Sequence, residues 1–110
     1  MENSGVINDA QNVNVTGEFS NTHEINGVNN LVVGGAFYNN GRLNGAPDEQ
    51  MNIGLNTSIV AINGNSGSIG VEGEHGSLVI MNLNPLGKLS NEGSIQAGHC
   101  NIAMGEFDNF

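Results

Sequence analysis

The chain has 110 residues, of which 20 are Asn and 17 Gly, and it sets two Lys or Arg against eleven Asp or Glu for a formal charge of −9. Two cations cannot neutralise a run of phosphates, so the charge balance excludes nucleic acid and anionic membrane surfaces as partners. Gly, Asn and Pro interrupt the chain so often that the longest stretch free of all three is Thr57 to Ile62, which excludes a fold of ordinary helices.

Val, Ile, Leu and Phe fill 29 positions, enough for a core, and 21 β-branched residues suit short strands. The expected class is all-β, in a single domain: a short-stranded β-solenoid, β-roll or meander. A domain of this size buries only about 60 to 70% of its unfolded surface, so a homo-oligomer, intertwined or packed as a trimer, is expected to supply further burial. Cys100 is alone and can form no intrachain disulfide. The N-terminus lacks the basic and apolar regions of a signal peptide, and no apolar run reaches the length of a membrane span.

In chain order, residues 1–10 are polar apart from Val6, Ile7 and Ala10, and read as an extended arm ordered on a partner. A β domain spans 11–105. Its predicted strands are Asn12 to Thr16, Asn30 to Val33, Gly35 to Tyr38, Ser58 to Ile62, Ser68 to Val71, Ser77 to Met81, Ser94 to Ala97 and Asn101 to Met104. Ala46-Pro47-Asp48-Glu49 marks a surface loop near 45–51, because Pro47 has no ladder donor and lies in the most polar stretch. Asn-Gly pairs at Asn26, Asn40, Asn44 and Asn63 favour type I′ hairpin turns. They serve equally well at the corners of a parallel solenoid, where Asn side chains stack into hydrogen-bonded ladders, and composition leaves both open. Residues 106–110 hold two of the four Phe and read as a docking segment; Phe107, Phe110, Val6 and Ile7 are the expected interface residues.

A short unit recurs: Asn30-Leu-Val-Val-Gly34, Ser66-Gly-Ser-Ile-Gly70 and Asn101-Ile-Ala-Met-Gly105, with near copies at Ser77 and Ser94. A polar opener and a Gly closer around apolar residues describe a turn of chain that buries its apolar face only by stacking on the next. Val32, Val33, Ile69, Val79, Ile102 and Met104 are the core positions this register predicts. The segment Ser94-Ile-Gln-Ala-Gly-His-Cys-Asn-Ile-Ala-Met-Gly105, with Ser94 and Asn101 seven apart, resembles the head repeats of trimeric autotransporter adhesins and related phage fibre modules. The resemblance covers about a third of the chain. It implies three chains in a left-handed parallel β-roll, branched residues inside and polar residues at the corners. The spacings of Ser58, Ser68, Ser77 and Ser94 depart from multiples of seven, and residues 1–29 hold no copy.

Candidate chemistry is sparse. His99 and Cys100 are adjacent soft ligands, but a zinc site takes about four at characteristic spacings; Cys100 is expected as a small buried hydrophobe and His99 at a turn. Three copies of one inward His on a trimer axis are the remaining route to an ion. Glu72 and Glu74, or Glu106 and Asp108, are paired carboxylates without the aromatic platform of a sugar-cleaving cleft. Ser68 lacks nucleophile-elbow spacing, with His75 near only in sequence, and Asp48-Glu49 belongs to no calcium-loop motif. The sequons at Asn14 and Asn56 are expected by chance in so Asn-rich a chain.

The expectations are therefore no catalytic site, no metal and no cofactor, in a structural subunit of a virion or surface assembly: a phage fibre, whisker or capsid-decorating protein. Its expected partners are copies of itself, as a trimer, and a capsid, tail or surface protein. Its expected location is the virion, the cell surface or an extracellular filament. A β-rich self-assembling filament or amyloid-like matrix protein is the alternative, because Asn ladders and Gly turns also serve cross-β stacking. A carbohydrate-binding module comes third.

Overall fold

The computed structural model describes residues 1–110 and contains sixteen strands and no helix. The chain winds through five rungs of three strands. The first is β1 (Glu2–Asn3), β2 (Val6–Ile7) and β3 (Asn12–Val15); the second is β4 (Phe19–Asn21), β5 (Glu24–Val28) and β6 (Asn30–Val33). The third is β7 (Phe37–Asn39), β8 (Arg42–Gly45) and β9 (Gln50–Leu55), and the fourth is β10 (Ala61–Asn63), β11 (Ser68–Gly70) and β12 (Ser77–Asn82). The fifth is β13 (Lys88–Asn91), β14 (Ser94–Gln96) and β15 (His99–Ala103), and β16 (Glu106–Asn109) opens a sixth.

Every third strand stacks on its predecessor. Sheet A is β1-β4-β7-β10-β13-β16, sheet B is β2-β5-β8-β11-β14, and sheet C is β3-β6-β9-β12-β15. All strand pairs are parallel, which makes the fold a β-solenoid and removes the hairpin meander. Parallel neighbours need a crossover of a dozen or more residues, and here the other two strands of each rung provide it. Successive rungs are 18 residues apart at the start, 24 and 28 in the middle, and 18 again at the end. The extra length lies in the corner loops and in the six-residue strands β9 and β12. The recurring unit is therefore the whole rung, and Ser94 and Asn101, seven apart, lie on different sheets.

Strand alternation sends one residue in two to the axis, where like residues stack in columns. Ile7, Ile25, Leu43, Ile69 and Ile95 form one on sheet B, and Val13, Leu31, Ile53, Ile80 and Ile102 form another on sheet C. On sheet A the Phe19 and Phe37 rings stack with centroids 5.1 Å apart. Each Ile or Leu fully enclosed this way contributes about 1.5 to 3 kcal/mol.

Val33 and Ile69 lie in the core at 0% and 1% exposure, while Val32 is 51% exposed. Val32 and Val79 occupy the third position of the recurring unit, which points outward: Val32 stands beside Gly54, and Val79 beside Asn52 and Asn101. Their expected enclosure is corrected by strand parity. Ile102 and Met104 face inward on the last rung and are partly buried. Residues 1–10 are not a detached arm, since β1 and β2 join sheets A and B and Ile7 packs on the core, leaving Val6 exposed. Residues 106–110 likewise continue sheet A. Phe107 stands in register with Leu89, and the Phe110 N–H donates to the Asn91 carbonyl at 2.8 Å; the Phe110 ring itself is exposed. The loop expected near 45–51 is the connection between β8 and β9.

Candidate functional site

The corner between sheets A and B carries the most ordered polar feature of the molecule. Sheet A strands end on an Asn in every rung: Asn3, Asn21, Asn39, Asn63, Asn91 and Asn109. Each of the first five donates from Nδ2 to the Oδ1 of the next, at 2.9, 2.9, 2.9, 2.7 and 2.8 Å. The remaining valences hold the corner. Asn39 Nδ2 also donates to the carbonyls of Gly41 and Ser68, and Asn63 Nδ2 to that of Ser94. Asn21, Asn39 and Asn63 are fully buried, and no buried side-chain polar atom lacks a partner. A carboxamide suits this place because it brings a donor and an acceptor in one plane and carries no charge. Gly67 is required beside it, since a Cβ there would collide with Asn63 Oδ1 and the Asn39 carbonyl oxygen.

The outer face of sheet C differs. Its five strands contain no Asp, Glu, Lys or Arg, in a chain of net charge −9. One outward column is Asn12, Asn30, Asn52, Val79 and Asn101, with Asn30 Nδ2 donating to Asn12 at 2.9 Å and Asn52 Nδ2 to Asn30 at 3.2 Å. The next is Asn14, Val32, Gly54, Met81 and Ala103, in which Val32 and Met81 flank a shallow apolar groove over Gly54. Where sheet C turns toward sheet A, the loops at 56–60 and 83–87 raise an apolar ridge. Ile59, Val60, Leu83 and Leu86 are 54, 41, 71 and 70% exposed. Asn82, facing inward, fixes the ridge by donating to the Thr57 carbonyl at 3.0 Å while its Oδ1 accepts from the Thr57 and Asn84 N–H groups.

The charges lie elsewhere. Arg42 pairs with Glu24 at 3.5 Å on sheet B, and Lys88 with Glu106 at 3.0 Å on sheet A, so both cations bridge adjacent rungs. Asp48, Glu49, Glu72 and Glu74 gather, exposed, at the corner between sheets B and C. Asp48, at φ 60°, receives the His75 N–H on Oδ1 at 3.1 Å and donates its own N–H to the Glu72 carbonyl at 2.8 Å.

The other sequence candidates are scattered. His99 and Cys100 point to opposite sides of β15: His99 joins the outward column of Gln50 and Ser77, and Cys100 the inward column of Met51 and Leu78. Both are exposed, so the expected burial of Cys100 and the turn at His99 are corrected; Cys100 faces inward on the last rung, where no further strand covers it. Partial burial pushes its thiol above the usual range. No three His, Cys, Asp or Glu side chains converge closely enough to hold a metal ion. The largest cleft, about 660 Å³, lies over rungs four and five between Ser68, Glu72, Gln96 and Cys100, and one carboxylate, Glu72, lines it. Ser68 faces outward on β11 and pairs with Arg42 and Ser94. Glu106 and Asp108 share the outer face of β16 and are exposed.

The Asn ladder and the charge-free face escape a motif search. The signal that finds them is the recurrence of Asn at 3, 21 and 39, at 8, 26 and 44, and at 12 and 30, with Phe at 19 and 37. No family model, curated protein or solved structure matches the chain.

Proposed function

We propose that the protein is a non-enzymatic structural subunit: a rigid β-solenoid module of a virion or surface assembly, of the fibre, whisker or capsid-decorating kind, built from three copies of the chain. The observation that carries the reading is the Asn ladder, unbroken from Asn3 to Asn109 and buried from Asn3 to Asn91. A hydrogen-bonded column through every rung, with apolar columns beside it, commits the inward positions to mechanical continuity along one axis. The acidic exterior suits a module that stays soluble until it meets its assembly partner. Tyr38, the one Tyr, stands on sheet A without an aromatic neighbour, which favours a scaffold over a sugar-binding platform.

Light scattering of the purified full chain tests this reading. A discrete mass near three chains of 11.4 kDa is the expected result. Open-ended growth favours the self-assembling filament instead, and a monomer at all concentrations contradicts both.

A further inference from the structure

We infer that the outer face of sheet C, together with the ridge of Ile59, Val60, Leu83 and Leu86, is the surface through which copies of this chain bind one another. The inference deepens the proposed function and rests on it in one respect, that the chain self-associates. Three observations select the surface. All thirteen charged residues lie off the strands of sheet C, whereas sheets A and B both carry acids. Two copies each of charge −9 repel wherever acidic faces meet, and an uncharged face is the one place where they can approach without burying a carboxylate. A cationic partner, by contrast, would be drawn to the acidic corner of Asp48, Glu49, Glu72 and Glu74 and would gain nothing from sheet C. This argues for a second copy as the occupant.

The second observation is the placement of exposed apolar side chains. Val32 and Met81 on the face, at 51% and 42% exposure, continue into the ridge through the sequence Met81-Asn82-Leu83. The acidic corner borders sheet C on the edge away from the ridge. Copies that meet through the ridge and the adjoining half of the face therefore keep their acidic edges apart.

The third is size. Five strands about 4.8 Å apart and up to six residues long at about 3.3 Å each give a flat patch of roughly 450 Å². A stable interface takes about 800 Å² from each partner, so the face alone is too small and the ridge must take part. Disrupting either half is then sufficient to separate the copies.

The test is the light-scattering mass of the full chain and of Met81→Glu, Leu83→Glu and Tyr38→Glu, with circular dichroism of each sample. Met81 and Leu83 are exposed, so both variants are expected to keep the strand signal; Val32→Glu replaces whichever does not. The expected result is that Met81→Glu and Leu83→Glu both fall to the mass of one chain, while Tyr38→Glu, the same kind of change on sheet A, keeps the wild-type mass. If both keep the wild-type multiple, copies associate through another surface; the inference is overturned and the assembly reading survives. A wild-type chain that is monomeric throughout overturns both.

Discussion

Asn63 and Asn30 have the same side chain, and each bonds the Asn of a neighbouring rung, yet they do different work. Asn63 is fully buried, and its carboxamide joins Asn39, Asn91 and the Ser94 carbonyl. Asn30 lies exposed on sheet C, bonded to Asn12 and Asn52, with water free to replace either partner. A hydrogen bond exchanged for water contributes about 1 kcal/mol or less, whereas an unmade one in the interior costs the whole desolvation of the group left behind, about 1 to 3 kcal/mol. Burial therefore separates the ladder that holds the solenoid together from the ladder that decorates its face.

The largest effect is expected from Asn63→Asp. The carboxylate would face Asn91 Oδ1 without a cation in reach, at a cost of several kcal/mol in a domain whose total stability is about 5 to 15 kcal/mol. Loss of the strand signal at neutral pH is the expected result. Burial raises the folded-state pKa of the introduced carboxyl above its unfolded value of about 3.9, so the penalty is full above the folded pKa and vanishes as pH falls below the unfolded one. Relative to wild type, the variant should regain structure in acid, as circular dichroism across pH would record. Asn30→Asp should leave the neutral-pH spectrum unchanged.

Asn39→Ala comes next. It removes donors to Asn63, Gly41 and Ser68 and leaves the Asn21 amide with only the Arg42 carbonyl as acceptor, and about 3 kcal/mol should be lost in urea unfolding. Gly67→Ala presses a methyl against the Asn39 carbonyl and the Asn63 side chain, and should lower the urea midpoint by the equivalent of about 1 to 3 kcal/mol. Asn30→Ala and Val32→Asp, both on the outer face of sheet C, should each change stability by less than about 1 kcal/mol when measured at dilutions where wild type and variant are single chains. A large loss at Val32 would return that residue to the core and put the register of β6 in error.

The class and the general plan of the fold are legible from composition, because a chain interrupted so often by Gly and Asn admits short strands and little else. Every predicted strand overlaps an observed one. The strands left out are instructive. β5 (EINGV), β8 (RLNG), β9 (QMNIGL) and β13 (KLSN) contain Asn or Gly, which read as turn residues. In an isolated strand that reading is sound. In a solenoid Asn26 meets Asn44, Asn52 meets Asn30 and Asn91 meets Asn63 one rung away, and the bond between them offsets the poor propensity. Neither partner is near the other in sequence, so pairs 18 residues apart show as a recurrence, whereas Asn30 and Asn52, 22 apart, and Asn63 and Asn91, 28 apart, do not. The core was partly legible: Val33 and Ile69 followed from the recurring unit, whereas Val32 and Val79 required strand parity, which a one-residue shift reverses. The charge-free face was hidden for the same reason. Uncharged residues spread over five separate segments form one surface only when the rungs are stacked.

Hydrogen exchange at the Asn side chains of the unmodified protein, followed by NMR, tests the distinction between the two ladders most directly. The carboxamide protons of Asn21, Asn39, Asn63 and Asn91 should exchange only when the whole domain opens, and those of Asn12, Asn30 and Asn52, in dilute samples where the copies are apart, should exchange near the rate of a free amide. Equal and rapid exchange in both sets would contradict the account, because it would mean that the ladder between sheets A and B does not hold the rungs together.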